Sequence, residues 1–463
     1  MSRRTPLLAL LVALAAVGAW TVVGWLAPAP GEEPEAQARP GDLVFVAGGE
    51  RWALAPPARA ASAGALGAGV ATDAHAAGVD LEALQALGYA GLHVAPDAAV
   101  GVTVHERDLV ADGLNLCTFG HAPLALLVDM DGRVRHRWSL DVTPLLGDAL
   151  AGRPRRTGDR DGPPELFEKA WRRVRLLDDG ALLAIHEGQY LLRVDRDSRL
   201  EWVSDLGAHH DLDLTPSGEI VVLTREAHVV PRVHRDKPVL EDAVSWVDPQ
   251  TGAERRRLSL LDAFWDSDFA PVLERTKSWG DLTHTNTVEV LDGRHAHRSP
   301  AFAAGNLLVS LRELDTVAVV DPERGVVVWA LAGLWRAQHQ PTLLDDGGLL
   351  VFDNQGHFGR SRVLELDPLS QQVRWSYTGD ADEPFFSREC GSAQRLPDGH
   401  TLITETDTGR AFEVTPDGRV VWEFRSPFRA GRHDELVSSL FEVVRLPADA
   451  ADAWLPATRA VDR

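Results

Sequence analysis

AQRLPDGHTLITETDTGRAFEVTPDGRVVWEF, Ala393–Phe424, holds two hairpins in succession. Pro397-Asp398-Gly399 and Pro416-Asp417-Gly418 are turn signals, because Pro presets φ and Gly takes the positive φ that closes a tight turn. The short apolar runs around them, rich in Val, Phe and Thr, read as strands. The second half of this unit, an apolar strand, a turn and a strand ending in Trp, recurs along the chain. LALLVDMDGRVRHRW (Leu124–Trp138), LLRVDRDSRLEW (Leu191–Trp202), VAVVDPERGVVVW (Val317–Trp329), VLELDPLSQQVRW (Val363–Trp375) and AFEVTPDGRVVW (Ala411–Trp422) are copies. A sixth, VSWVDPQTGAERRRL (Val244–Leu258), lacks the final Trp.

The first half recurs too, as Arg173–Glu187, Asp211–Thr224, Asn286–Gly293 continued at Gly305–Leu311, Pro341–Asn354 and Ala393–Thr406. Its sixth copy is split between FEVVRLP (Phe441–Pro447) and GLNLCT (Gly113–Thr118). A repeat of four strands at steps of 46 to 73 residues has the dimensions of a propeller blade. The expectation is an all-β chain: a six-bladed β-propeller over residues 101–450, one blade built from both chain ends, followed by a tail at 451–463. A sandwich would not repeat so regularly. The recurrent Trp is read as a packing residue at each blade edge.

Composition narrows the function. With 47 Lys+Arg against 68 Asp+Glu, the net charge is −21 over 463 residues, which argues against a nucleic-acid partner. Lys169, Lys237 and Lys277 are the only lysines and none follows Gly, so there is no P-loop; nor is there a GxGxxG. Forty Gly and 28 Pro supply turns but stay below the roughly one quarter of residues that marks disorder. Cys117 and Cys390 have no zinc spacing; one disulfide and two unrelated buried thiols are both open readings.

Thr5 to Pro30 carries no charge, long enough for a bilayer span, with Arg3 and Arg4 before it and Glu32, Glu33 and Glu35 after it. The expectation is an uncleaved signal anchor over 1–30, with the propeller on the periplasmic or extracellular side. Its length sets it apart from a cleaved signal, and the arginine pair is too short a match to a twin-arginine signal. Residues 31–100 then read as a linker with a short helix at Asp80–Leu87.

The first strand of each blade lines the central channel, so its starting residues face the mouth. These are Arg172 and Arg173; His209, His210 and Asp211; His284 and Asn286; Gln338 and His339; Cys390 and Ser392; Ser438 and Ser439. His210, His284 and His339 stand eight or nine residues before a turn Gly in three blades. Any one of them alone would pass for a satisfied channel residue. Together they fit either a metal site or a site for an oxyanion. Arg362, after Asn354 and His357, favours the oxyanion, since a guanidinium fork suits sulfate better than it suits a cation. No metal and no cofactor is expected.

LLVDMDGRVRHRW, HHDLDL, HTN, QHQPTLLDDGGLLVFDN followed by Ser361-Arg362, and Gln394–Phe424 resemble the bacterial arylsulfotransferase family over about Gly101 to Pro447. The resemblance implies a six-bladed propeller outside the cytoplasmic membrane that moves a sulfuryl group from a phenolic sulfate ester to a phenol without a nucleotide donor. His210, or His209, and His339 resemble the family's sulfate-binding imidazoles and Arg362 its sulfate-binding arginine. The family's nucleophilic histidine lies after that arginine, where this chain has only His400, in a turn, and His433, in a loop. The catalytic candidates are therefore His339, His284 and His433. The substrate-binding candidates are His209, His210, Asn286, Asn354, Arg362 and Arg173. A non-catalytic propeller that binds an anion is the alternative. A quinoprotein-like redox enzyme is disfavoured because neither eight copies nor a calcium loop is present.

Overall fold

A computed structural model describes residues 44–47, 50–53, 92–146, 170–379 and 385–455. These are all-β, with short helical turns such as Leu260–Trp265, capped by Ser259, between strands. The signal anchor and the Asp80–Leu87 helix expected from sequence lie outside the described residues. Among the described residues no helix is long and apolar enough to cross a membrane.

The strands form antiparallel four-strand arrays in chain order from the first strand outward, two of them fused through a shared strand in one ten-stranded sheet, beside a separate three-stranded sheet. The first sheet is the exception that joins the ends: Leu440–Leu446 pairs with Leu114–Phe119, followed by Leu124–Asp129 and Val134–Ser139. The second runs Trp171–Leu176, Leu182–His186, Gln189–Val194 and into Leu200–Leu214. That fifteen-residue strand also opens the third sheet, with Ile220–His228, Val239–Val247 and Glu254–Ser259. Thr285–Val290 through Val326–Ala332 form the fourth, and His339–Leu343 through Val373–Tyr377 the fifth. Ser392–Arg395 through Val420–Arg425 form the sixth, to which Gly101–His105 adds an outer strand.

Sequence separates the second and third units, whereas the structure runs them together through Gly207. This glycine sits at φ +65° with Arg225 O 2.3 Å from where a Cβ would be, so the strand passes over its neighbour only because that position carries no side chain.

Second and third strands are covered on both faces by adjacent sheets and read as continuous buried runs, such as Leu182–His186 and Leu307–Leu311. Fourth strands that form outer edges, such as Val134–Ser139, leave most of their residues partly in solvent, whereas Leu200–Leu214 and Val420–Arg425, each paired on both sides, are mostly buried. The recurrent tryptophans tie four of the sheets to the next. Trp138 Nε1 donates to Gly180 O at 3.0 Å, Trp202 Nε1 to Pro249 O at 3.1 Å, and Trp375 Nε1 to Pro416 O at 2.8 Å. Trp422 Nε1 donates to Met130 O at 3.0 Å and so ties the sixth sheet to the first.

Where the third unit lacks its Trp, Arg256 lies over the Trp246 ring and bonds Pro322 O and Glu323, in the turn of the fourth sheet. Between the fourth and fifth sheets, Arg298 bridges to Gly347 O and Asp367, and Trp329 packs on Phe302.

Part of the segment read as a linker is structured. Val44–Ala47 pairs in parallel with Leu200–Leu214 and antiparallel with Glu50–Ala53, and Leu92–Val94 pairs with Leu436–Ser438. The start of the expected tail also packs: Trp454 lies 5.6 Å from Trp138, ring to ring, and crowds Gly180. Cys117 and Cys390 are free thiols, the first fully buried in the first sheet and the second at the start of the sixth.

Trp422 is fully buried, stacked on Phe424 and bonded across the junction of the chain ends. Trp422→Ala is expected to cost about 3–5 kcal/mol. Trp375→Phe, at a half-exposed junction, loses one hydrogen bond worth about 1 kcal/mol. Urea unfolding of both variants checks the ranking.

Candidate functional site

The six first strands line one cavity of 1020 Å³, into which Glu442–Leu446, Arg173–Leu176, Asp211–Asp213, Thr287–Glu289, Gln340–Leu343 and Ser392–Arg395 all face; it extends towards the turn ends of the strands, and the imidazoles described next stand outside its lining, at the strand starts. At the strand starts the regular ladder breaks. Register shifts interrupt pairing at Leu440/Glu442, Trp171/Arg173, Ala208/Leu212, Thr285/Thr287 and His339/Thr342. His210, His284, Ala337 and Gln340 have φ between 45° and 54°, in the left-handed region. A bulge rotates the chain locally, and such irregularity collects at functional sites.

His209, His210, His284 and His339 are brought to this end. His209 Nδ1 and His210 Nδ1 are 2.9 Å apart, and the His210 and His284 rings are 4.8 Å apart, edge to face. His284 Nδ1 lies 2.5 Å from Asp281 Oδ2, while its backbone N–H donates to Asp281 Oδ1 at 3.0 Å. The carboxylate therefore fixes the proton on Nδ1.

His339 is 3% exposed. Its Nδ1 faces two acceptors, Asn354 Oδ1 at 2.8 Å and Ala337 O at 3.1 Å. Asn354 is oriented by donating its amide to Ser387 O and Cys390 O. With two acceptors around it, Nδ1 carries the proton. Nε2 is left as a buried lone pair with no hydrogen-bond partner.

Two guanidinium groups act on that imidazole. Arg172 is 6% exposed, lies 5.0 Å over the Phe441 ring and donates to Cys390 Sγ at 3.5 Å; no carboxylate among the described residues pairs with it. Arg312 is held by Glu313 and by Glu389 at 2.8 Å. Burial first, then the fields of Arg172 and Arg312, push the His339 pKa well below the ordinary 6.5. Burial likewise pushes His209 and His210 well down. Burial opposes ionisation of Asp281, but His284 and Arg225 outweigh it and hold the carboxyl below its usual range.

Other expected site residues have different settings. Arg173 sits deeper in the channel, in ion pairs with Asp211 and Glu442. Asn286 is buried and donates to Gln338 O at 2.9 Å. Arg362 pairs with Asp353 at 2.8 Å and donates to Leu334 O at 2.7 Å, so its guanidinium is committed within the fifth sheet. Arg172 and Arg312 are the guanidinium groups whose fields reach His339. His433 is exposed in a turn, with its N–H on Glu435, and does not join the imidazoles. His400 pairs with Glu413 at 2.8 Å beside its turn.

Glu187, Arg225, Asp242, Asp281 and Arg312 belong to the cluster but were not singled out from sequence. Glu187, Arg225 and Arg312 follow or end second strands, where Asn354 also lies, so extending the same phase to every second strand finds them. Asp242 sits in a third strand and Asp281 in an insertion without a repeat partner, which leaves no periodic signal.

The family model described as arylsulfotransferase (ASST) matches residues 173–427. No curated protein sequence matches the chain. Similar solved structures include a protein of unknown function from Bacteroides caccae, at 13% identity, covering 73% of this chain and 99% of that one, with a TM-score of 0.44. A catalytically inactive virginiamycin B lyase from Staphylococcus aureus with quinupristin is 11% identical over 72% of this chain and 87% of its own, with a TM-score of 0.38. BamB from Moraxella catarrhalis is 12% identical over 75% and 96%, with a TM-score of 0.33. At such scores these likenesses add nothing to the strand topology.

His121, also at this end, bonds Ser438 Oγ at 3.0 Å and packs on Phe428. Burial first, then Arg137, pushes its pKa down to about 3. Because the folded value lies below the unfolded 6.5, the stability it contributes is complete above pH 6.5 and is lost as pH falls towards 3. The loss is about 1.4 kcal/mol per pH unit. His121→Phe should flatten the acid limb of the stability curve by that slope, measured by urea unfolding between about pH 6.5 and about pH 5.

Proposed function

The chain belongs to the arylsulfotransferase family, and on that premise we propose that its imidazole-lined mouth transfers a sulfuryl group from an aryl sulfate ester to a phenol at the top of a six-bladed propeller. The repeat count, the sheet joining both chain ends and the shared cavity support the propeller. The observation that carries the chemistry is His339: proton anchored on Nδ1 by Asn354, lone pair free on buried Nε2, two arginines acting on it.

His339 Nε2 attacks sulfur, an S–N bond forms, and the S–O(aryl) bond breaks with its electron pair leaving on the phenolate oxygen. The proton stays on Nδ1, donated to Asn354 Oδ1, which stabilises the charge that develops on the ring. Arg172 and Arg312 stabilise the three sulfuryl oxygens as charge spreads over them, without reorganising at the moment of reaction. His284, held by Asp281, passes a proton to the departing phenolate and recovers it from the acceptor phenol. The acceptor phenolate then attacks sulfur, and the S–N electron pair returns to Nε2. A proton and a sulfuryl group are exchanged between two phenols, and no nucleotide is consumed. His210 faces His284 and is placed to donate to the same group.

Thr5 to Pro30 supports a membrane anchor that holds the propeller outside the cytoplasmic membrane.

Phenol release from an aryl sulfate, with a second phenol as acceptor, tests the reading. Wild type is expected to show ping-pong kinetics. His339→Ala should lose on the order of 10³-fold or more in kcat. Arg172→Gln should lose about 10²–10³-fold, whereas Arg362→Gln should lower stability more than rate. Because the nucleophile must be neutral and its pKa is depressed, kcat/KM should not lose His339 to protonation near pH 6.5, but only well below it. Full activity in His339→Ala, or saturable binding with no turnover in folded wild type, overturns the proposal.

A further inference from the structure

Arg172 and Arg312, the latter held by Glu313 and Glu389, lie on one side of the mouth, around His339, and Arg172 also acts on His210. On the other, around His209 and His210, stand three carboxylates, Glu187, Asp242 and Asp281, and one guanidinium, Arg225, 3.5 Å from Glu187 Oε1. Glu187 and Asp242 are 3% and 2% exposed. Buried carboxylates outnumbering their cations are costly unless another positive charge joins them.

The ligand geometry is already drawn together. His210 Nδ1 lies 2.9 Å from His209 Nδ1 and 3.4 Å from Glu187 Oε1, and one such atom from each of the three residues lies within 4.8 Å of the others. Atoms bound tetrahedrally to one zinc ion at about 2.1 Å would be separated by about 3.4 Å. Glu187 Oε1 is buried and has no hydrogen-bond partner. His209 turns its far nitrogen, Nε2, towards Asp242 Oδ1 at 3.5 Å, and Asp242 is itself fixed by Thr283 Oγ1 at 2.6 Å and Thr285 N at 2.7 Å. A carboxylate behind an imidazole places the proton on the far nitrogen and the lone pair on the near one, as it does for metal-bound histidines.

We propose that Glu187, His209 and His210 form a site for a first-row divalent transition metal ion, with Zn2+ the best match to two imidazoles and one carboxylate. Three protein ligands leave a fourth position open, and the His284 ring adjoins that of His210. Ion binding does not rest on the sulfuryl-transfer reading, because the site either takes a metal or does not, whatever the turnover.

The experiment uses the full chain in detergent, stripped with a chelator and titrated with Zn2+ by calorimetry and with Co2+ by visible absorption. One equivalent is expected, with the intense Co2+ bands of a tetrahedral N/O site and no competition from Mg2+ or Ca2+. Glu187→Gln and His209→Asn should each weaken binding at least about tenfold, and either suffices if the other fails to fold. His433→Ala, an exposed imidazole, should leave it unchanged. His400→Ala separates this site from Asp398, His400 and Glu413, which also approach one another. No binding to folded protein, binding insensitive to Glu187→Gln and His209→Asn, or binding abolished by His400→Ala overturns the proposal. Loss of turnover in His339→Ala with Zn2+ affinity intact would separate this site from the transfer chemistry.

Discussion

The pairing of Leu440–Leu446 with Leu114–Phe119 makes one sheet from residues more than three hundred positions apart, and the arrangement of the mouth depends on it. Without that pairing, Glu442 would not face Arg173, and Ser438 would not meet His121. The junction is doubly secured, because Gly101–His105 adds to the sixth sheet while the chain continues into the first. Trp422 and Arg445, whose guanidinium lies 5.1 Å over the Trp422 ring, fill the seam between them. The entropy of closing so long a loop rises only slowly with its length, so a handful of strand pairs and one buried aromatic can offset it.

Below the mouth, side chains of one first strand bond the backbone of the next. Val288 N donates to Asp211 Oδ2 at 3.0 Å, Val290 N to Asp213 Oδ2 at 2.9 Å, Leu343 N to Glu289 Oε2 at 3.0 Å, and Gln394 bonds both the N–H and the carbonyl of Arg445. First strands are edges, and their unpaired amides would be costly if buried. Polar residues in the channel are therefore largely the satisfaction of strand edges, and groups left without such partners, His339 Nε2 and Glu187 Oε1 among them, stand out as chemical.

The repeats were legible because each hairpin carries its own turn signal and each outer strand but one its Trp. The split first sheet was legible for the same reason, as FEVVRLP and GLNLCT are halves of one pattern. His209, His210, His284 and His339 could be placed at one end because they share a phase relative to a turn glycine. What escaped was whatever lacked a repeat: Asp281 in an insertion, the strands Val44–Ala47 and Glu50–Ala53, and the fusion of two sheets through Gly207, where the chain's course depends on a missing Cβ. Arg362 illustrates the limit of a motif. Its position in the sequence matches an anion-binding arginine, but the strand register sets it beside Asp353, and the two pair.

Burial gives the four histidines different characters from one residue type. His339 is neutral because it is desolvated beside two cations, with its free nitrogen a nucleophile in form. His284 is partly exposed and backed by an ionised Asp281, which suits a group that must carry a proton back and forth. His209 and His210 are neutral by burial, and with their Nδ1 atoms 2.9 Å apart one ring donates to the lone pair of the other. Arg172 acts on His339 and His210 alike, Arg312 on His339, and Arg225 on His209 and His210, so the buried imidazoles share one field of guanidinium groups. A field set by charges so deeply buried is little screened by salt, and on the proposed reading it would hold a sulfuryl group beside His339 Nε2, a buried imidazole nitrogen without a hydrogen-bond partner.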